Sequence, residues 1–229
     1  TIAEKYLLGS ESNQKVNDGL GEFKTTYQQV NNEGRFYADK AQSLGMMPRE
    51  IRHTVCNSLY FDIDMVNAHP VILQNICKLN NIDCPNLTEY INNREVALQS
   101  MCGIDRTTAK EIVISVMNAG SVAYNELDDK PQWLIDFKAE CKKIHTKLAK
   151  IAGDKFVRFK EKNIDNGKTF NHIGSWTYKL MSTMENDLLM AMWEFFGKCD
   201  NAVFCFDGLM LPKKKRNRNM KYDIKGCEK

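Results

Sequence analysis

The stretch that decides the fold runs from Tyr60 to Pro70 and reads YFDIDMVNAHP. This apolar, aromatic run carries two carboxylates, Asp62 and Asp64, which face the same way because side chains alternate along a strand. The residue period then changes, since Asn67 is a good N-cap and Pro70 suits the first turn of a helix. The stretch therefore predicts a buried strand that leads into a helix, with acid at the junction. Two like charges on one strand face are costly unless a cation lies there, and a metal ion is the usual cation.

A second acidic segment lies far along the chain, where residues 201–212 read NAVFCFDGLMLP. Asp207 interrupts an apolar run that predicts the two short strands of a hairpin, and Gly208 follows where a tight turn is needed. Together with the acids of the first segment, Asp207 would converge on a pair of divalent cations, an arrangement that serves in-line attack at phosphorus. A purely structural role, in which each acid caps a strand or turn, explains Asp207 alone more easily than all three acids.

The composition is that of a globular domain. Of the 229 residues 43% are hydrophobic, which is enough to build a core, and the net charge of +3 is mild. The cations cluster in residues 138–162 and in KKKRNR at 213–218, which suits phosphate contact as well as a solvated surface.

The eight cysteines include no C-x-x-C pair, which argues against a zinc finger, and their number in an apolar chain favours an intracellular, reducing compartment. No apolar run has the length of a membrane span and no signal-peptide pattern is present, so no membrane partner is expected. The chain begins without Met and is expected to be a domain of a longer protein.

The pattern along the chain predicts an α+β fold in which a sheet is split by a helical insertion. Residues 1–33 have apolar positions at helical spacing and predict an N-terminal helical arm. Residues 34–65 are strand-rich, residues 66–171 read as several helices with breaks at Pro85, Gly103, Gly120 and Pro131, and residues 172–229 contain a long helix and the second acidic segment. The apolar side of that helix, at residues 174–196, is predicted to run through Trp176, Leu180, Met184, Leu188, Met192 and Phe195.

One predicted helix, within residues 104–120, carries two cations on the same face. Asp105 is placed to cap it, and Arg106 and Lys110 stack one turn apart because they are four residues apart. Two such cations can grip a triphosphate, although an ordinary amphipathic helix with exposed cations has the same pattern.

The order of these pieces resembles that of the family A DNA polymerases. The matching pieces, in chain order, are Gly34-Arg35, Gln42-Ser43-Leu44 with Pro48, the acids of residues 62–64 as motif A, Arg106-x-x-x-Lys110 closing in Asn118-Ala119-Gly120 as motif B, and Phe206-Asp207-Gly208 as motif C. The form DIDMVNAHP and the glycine after the last aspartate resemble the divergent transposon-and-virus branch, which is related to the single-subunit phage RNA polymerases.

This resemblance implies a polymerase palm, made of a small antiparallel sheet with packed helices, and a mostly helical fingers insertion. The palm would comprise residues 34–65 and 172–229, the latter with a basic C-terminal segment, the fingers residues 66–171, and the thumb would be reduced or absent. Asp62, Asp64 and Asp207 would hold two Mg²⁺ ions, for which Mn²⁺ can substitute, with either Asp62 or Asp64 as the main ligand.

The resemblance also implies contacts for the substrates. Arg106 and Lys110 would bind the incoming triphosphate, and Lys110 would also donate a proton or charge to the leaving group. Asn118 would contact the nascent base pair. His69 would contact the sugar if Asp64 is the motif A aspartate, and Asn67 would do so if Asp62 is. The residues expected to contact primer–template are Arg35, Gln42, Arg49, Arg52, Lys213, Lys214 and Lys215.

The predicted function is therefore template-directed nucleotidyl transfer to a primer 3′-hydroxyl, as a DNA polymerase or primase-polymerase with DNA primer–template and nucleoside triphosphates as partners. Alternatives are an archaeo-eukaryotic-type primase, a metal-dependent nuclease, and an inactive nucleic-acid-binding or assembly domain associated with a helicase domain or subunit. A viral factory or a host nucleus is the expected location. The choice between dNTP and rNTP is left open.

Overall fold

The computed structural model describes residues 25–30, 33–38 and 43–213. These residues form a mixed α+β fold in two compact units, one built from residues up to 66 and from 185 onward, the other from residues 67–184. The predicted α+β class is confirmed in this general form. Gln42, Lys214, Lys215 and residues 1–24 of the predicted arm lie outside the described residues.

The first unit contains two small antiparallel sheets. Its strands are β1 (Tyr27–Val30), β2 (Glu33–Ala38), β3 (Tyr60–Asp64), β4 (Val203–Cys205) and β5 (Gly208–Pro212). β1 and β2 form a hairpin, whereas β3, β5 and β4 form a sheet in that spatial order. A 3₁₀ turn at Leu44–Met46 and helix α1 (Arg49–Cys56) connect the two sheets.

The middle strand β5 is buried on both faces and explains the apolar run after Asp207. Leu209 and Leu211 pack on one face with Leu189, and Met210 packs on the other with Cys56 and Cys205. Because both faces of a central strand are covered, its sequence is continuously apolar instead of alternating. The two strands predicted around Asp207 are thus observed as β4 and β5.

The C-terminal part of the predicted helical arm is a strand. Tyr27 to Val30 alternate in burial and pair with β2, and the ring of Tyr27 lies 5.0 Å from that of Phe204. Apolar residues a few positions apart fit either period over such a short segment, and here the pairing with β2 decides the conformation.

The second unit is helical and begins with α2. Its helices are α2 (Ala68–Leu79), α3 (Pro85–Asn92), α4 (Arg94–Gln99), α5 (Arg106–Met117), α6 (Val122–Asn125), α7 (Gln132–Ala152), α8 (Asp154–Asp165) and the first part of α9 (His172–Phe195). Pro85 stands in the first turn of α3 and Pro131 precedes α7, as the predicted breaks require. No helix in the described ranges is long and apolar enough to cross a membrane.

A buried carboxylate fastens α3 to α7. Glu140 on α7 is 6% exposed, and it accepts hydrogen bonds from the backbone N–H groups of Asn86 at 2.9 Å and Leu87 at 2.8 Å. These donors belong to the first turn of α3 and have no partner within their own helix. Glu140 therefore caps α3 from another helix, which no local pattern indicated.

A buried histidine closes α5 in a similar way. His145 on α7 is 3% exposed, and its Nε2 lies 2.8 Å from the carbonyl oxygen of Met117. Because a carbonyl only accepts, Nε2 carries the proton and donates. Burial lowers the pKa of His145, although the hydrogen bond to Met117 opposes this shift.

We expect this pKa to make the fold sensitive to acid. The unfolded chain takes up a proton near the ordinary histidine pKa of about 6.5, whereas folded His145 stays neutral to a lower pH. The contribution of His145 to stability is therefore complete above that pH and is lost as pH falls through the folded-state value. Urea unfolding between pH 7.5 and 5 should show a loss of at most about 1.4 kcal/mol per pH unit from this single proton. In His145→Gln that part of the slope should disappear, and equal slopes for wild type and His145→Gln would contradict the prediction.

The long helix α9 buries a different face from the predicted one. The predicted stripe includes Leu188 and Phe195, which are 45% and 56% exposed. The buried positions include Thr177, Met181, Glu185 and Leu189, at spacings of four residues. The prediction was wrong for Leu188 and Phe195 but is confirmed for Trp176, which is 7% exposed. It counted only apolar side chains, whereas the buried face includes polar residues that have partners within the fold.

Candidate functional site

Three acids lie at the same end of the β3–β5–β4 sheet. Antiparallel pairing places Asp64 opposite Gly208 and Asp62 opposite Met210, and the two-residue turn between β4 and β5 places Asp207 directly before Gly208. The backbone N–H of Met65 donates to the carbonyl oxygen of Asp207 at 2.9 Å. The structure therefore brings the two acidic segments together although they are far apart in sequence.

The turn that carries Asp207 has an unusual backbone. Phe206 has a φ of 62°, a conformation that bulky residues rarely adopt. Gly208, which the sequence analysis placed in the turn, is instead the first residue of β5, and its φ is not positive. The prediction that Gly208 forms the tight turn was thus wrong. Its role is steric.

Gly208 makes room for the carboxylate of Asp64. A Cβ atom at position 208 would lie 2.1 Å from Oδ1 of Asp64 and 3.2 Å from the carbonyl oxygen of Ile63. The first distance is far inside van der Waals contact, so the observed position of Asp64 requires a residue without a side chain at 208. The position of the Asp64 carboxylate therefore depends on glycine at position 208.

Asp62 and Asp207 both act on the carboxyl of Asp64 through their charges. Partial burial raises the pKa of Asp64, and the negative charges of Asp62 and Asp207 raise this pKa further. The positive charges of Arg49 and Arg52 act in the opposite direction.

The predicted burial of the acid-bearing strand was wrong, because both Asp62 and Asp64 are at exposed positions of β3. The carboxyl of Asp64 is therefore packed against protein on one side and open to water on the other.

The side chain of Asp62 has a partner that sequence reasoning assigned no functional role. Nε2 of His53, on α1, lies 3.0 Å from Oδ2 of Asp62. Arg52 and His53 follow Arg49 by three and four residues, so both lie beside it on the same side of α1. That spacing was the available signal in the sequence, but only the packing of α1 against the sheet shows that the face meets the acids.

The three acids fit magnesium by their chemistry. Carboxylate oxygens are the ligands that Mg²⁺ prefers, and the ion keeps several waters, so two or three carboxylates suffice. In the described part of the chain no three His, Cys, Asp or Glu side chains are gathered closely enough to hold a metal ion as they stand. Because Asp62 is turned to His53, metal binding at this site would require its carboxylate to reorient.

Arg35 is held behind the Asp207 turn by a buried acid. Its guanidinium forms a two-point ion pair with Glu185 through Nε and through Nη2, the latter at 2.9 Å. The same guanidinium lies 5.0 Å from the centre of the Phe206 ring. The Arg35 side chain is 20% exposed and that of Glu185 only 1%. Arg35, predicted to contact primer–template, is thus bound within the first unit and braces the turn before Asp207.

The cations of α5 lie in the second unit. Arg106 forms an exposed two-point ion pair with Glu95, at 2.8 Å through Nε and 2.6 Å through Nη2. This pair lowers the pKa of Glu95 and raises that of Arg106. Lys110 is exposed. Asp105 caps the helix as predicted, accepting from the N–H groups of Thr107 and Thr108.

The other predicted nucleotide contacts also lie in the second unit. His69 is 9% exposed, and its ring packs edge-on against Tyr178 at 5.6 Å. Asn67 immediately precedes α2 and has a left-handed backbone. The prediction that its side chain caps this helix was wrong, since the side chain makes no capping hydrogen bond. Asn118 ends α5, where its carbonyl oxygen accepts from Nδ2 of Asn171 at 3.0 Å.

Lys213, which follows β5, is anchored to β3 and to the residue after α1. Its Nζ donates to the carbonyl oxygen of Asn57 at 2.5 Å and lies 5.2 Å from the centre of the Phe61 ring. Lys213 is therefore positioned by the protein beside the exposed edge residue Phe61. Contact with nucleic acid stays a prediction for this residue.

Comparison with known proteins finds a viral relative. The chain is 31% identical over 222 residues to the protein "Putative helicase V13" of Sputnik virophage, an alignment that covers 90% of this chain and 28% of that protein. The chain thus spans under a third of the length of this relative. No family model matches the chain, and no solved structure matches it.

Proposed function

We propose that the chain is a template-directed nucleotidyltransferase, a DNA polymerase or primase-polymerase that adds nucleotides to a primer 3′-hydroxyl and releases pyrophosphate. The observation that supports this most is the meeting of Asp62, Asp64 and Asp207 at one sheet end, with Gly208 leaving space for the Asp64 carboxylate. Distant acids on adjacent antiparallel strands are suited to two-metal phosphoryl chemistry. When bound by these acids, Mg²⁺ would lower the pKa of the attacking hydroxyl and neutralise charge on the leaving pyrophosphate.

The protein's own residues would position that chemistry. His53 contacts one carboxylate oxygen of Asp62, and the carboxylate would leave this contact when it turns to a metal ion. Arg35, fixed by Glu185, supports the Phe206 ring and thereby the turn that presents Asp207. In the second unit, Arg106 and Lys110 are proposed to bind nucleotide, for which Arg106 must exchange its exposed partner Glu95 for phosphate.

The name of the viral relative favours a second candidate. Because that relative is named a helicase and is much longer than this chain, a nucleic-acid-binding or assembly domain associated with a helicase is the alternative. Such a domain has no need of three acids at one end of a sheet, so the two candidates differ in how they depend on Asp207.

Primer extension with Asp207→Asn tests the proposal. We expect a loss on the order of 1000-fold in rate, the effect of about 4 kcal/mol of lost transition-state stabilisation, with primer–template affinity little changed. Asp200→Asn is the matched control, since Asp200 is an exposed acid shortly before β4. Running the assay with dNTPs and rNTPs, on primed and unprimed templates, separates polymerase from primase activity. Extension by Asp207→Asn at the wild-type rate would refute the proposal, and DNA binding without any extension by wild type would favour the helicase-associated domain.

A further inference from the structure

Helix α1 presents a cationic face to the acids. Arg52 and His53 lie on that face beside Arg49 because they follow it by three and four residues. The contact of 3.0 Å between His53 Nε2 and Asp62 Oδ2 shows that the face is turned toward β3. The charges of both arginines also act on the carboxyl of Asp64. Two guanidinium groups and an imidazole thus border the acid end of the sheet.

One of these guanidinium groups has unused hydrogen-bonding capacity. Nε of Arg52 is buried and has no hydrogen-bond partner among the described residues, whereas Arg49 is exposed on the first turn of α1. A buried N–H without a partner is unusual in a native protein and calls for an explanation. Because this atom is closed to solvent while the Arg52 side chain is partly exposed, a phosphate oxygen would satisfy it only after a shift of the side chain, whose planar guanidinium matches phosphate geometry.

We propose that the face of α1 formed by Arg49, Arg52 and His53 binds the polyphosphate group of a nucleotide, and does so only when divalent cations occupy the acids. This inference rests on the metal site of the proposed function and adds to it a phosphate-binding site within the first unit. Without metal, three carboxylates outnumber two guanidinium groups and repel an anion. Two divalent cations reverse the sign of the charge, so that metal and arginines then attract the same polyphosphate.

Arg106 of the second unit is already paired with a carboxylate, which favours α1 as an additional phosphate-binding surface. In the second unit both the Nε and an Nη edge of Arg106 are engaged by Glu95, so phosphate must displace a carboxylate there. Arg49 and Arg52 have no comparable two-point ion pair with any described carboxylate. The α1 face can therefore receive phosphate without first breaking such a pair.

Inorganic tripolyphosphate is the probe that tests this site without turnover. Calorimetric titration of the whole chain in Mg²⁺ should give binding that Arg49→Ala and Arg52→Lys each weaken by about tenfold, the loss of one charge-assisted hydrogen bond. Without a divalent cation no variant should bind. Arg158→Ala, which removes an exposed arginine from α8, should bind as wild type does.

Titration with Mg²⁺ alone provides a reading that a merely structural role would not produce. Removing the positive charge of Arg49 should tighten Mg²⁺ binding while it weakens tripolyphosphate binding, because the same charge repels one ligand and attracts the other. Unchanged tripolyphosphate affinity in both arginine variants, with Mg²⁺ binding intact, would overturn the inference and leave the proposed function standing. Failure of wild type to bind Mg²⁺, or binding that Asp64→Asn does not weaken, would overturn the proposed metal site and the inference with it.

Discussion

Replacing Gly208 with alanine should reduce primer extension on the order of 100-fold, the penalty of moving a reacting group by about 1 Å. The added Cβ would lie 2.1 Å from Oδ1 of Asp64, so the carboxylate must rotate away from its position beside Asp207. The backbone of Gly208 does not have a positive φ, and alanine can therefore adopt its conformation. The atom that must move furthest is the end of a flexible side chain, which is why the fold should tolerate the change.

Two quantities test this prediction: the rate of primer extension and the thermal midpoint of unfolding. We expect the midpoint of Gly208→Ala to stay close to that of wild type, apart from the effect of the closer contact at the carbonyl oxygen of Ile63. Combining Gly208→Ala with Asp64→Ala should add little to the loss from Asp64→Ala alone, because both changes remove the same carboxylate from the site. A Gly208→Ala protein with the wild-type rate would show that the position of Asp64 is not needed, and multiplicative losses in the double variant would show that the glycine acts elsewhere.

Removing Arg35 should destabilise the first unit by about 3–5 kcal/mol, the usual effect of leaving a buried charge without its partner. Glu185 is 1% exposed and is held by a two-point ion pair, so Arg35→Ala would remove this pair from a buried carboxylate. Activity should fall as well, since the Arg35 guanidinium also packs on Phe206 next to Asp207. Urea unfolding measures the first effect and primer extension the second.

The chain contains a matched control for this prediction. Arg106 and Glu95 form the same kind of two-point pair, but their side chains are 57% and 54% exposed. Arg106→Ala should therefore leave the free energy of unfolding nearly unchanged. The double change Arg35→Met with Glu185→Leu should recover most of the stability lost in Arg35→Ala, because it removes both buried charges. Equal stability losses in Arg35→Ala and Arg106→Ala would contradict this account of burial.

Local sequence patterns determined the elements that carry the site. The alternation around Asp62 and Asp64, and the apolar run interrupted at Asp207, predicted β3, β4 and β5, and the cap at Asp105 predicted the start of α5. These features depend on residues close in sequence, whose period and capping chemistry act before any long-range contact forms. The resemblance to family A polymerases arises from the same local pieces and their order.

Tertiary contacts decided which side chains meet. The pairing of β5 with β3 places Asp207 beside Asp64, and the packing of α1 brings His53 to Asp62. The same kind of contact turned residues 27–30 into a strand and rotated the buried face of α9 toward Glu185, the partner of Arg35. No periodicity encodes these choices, because the free energy of a buried ion pair or a strand pairing depends on two separate segments of the chain. Arg35 and Glu185, for example, are separated by 150 residues.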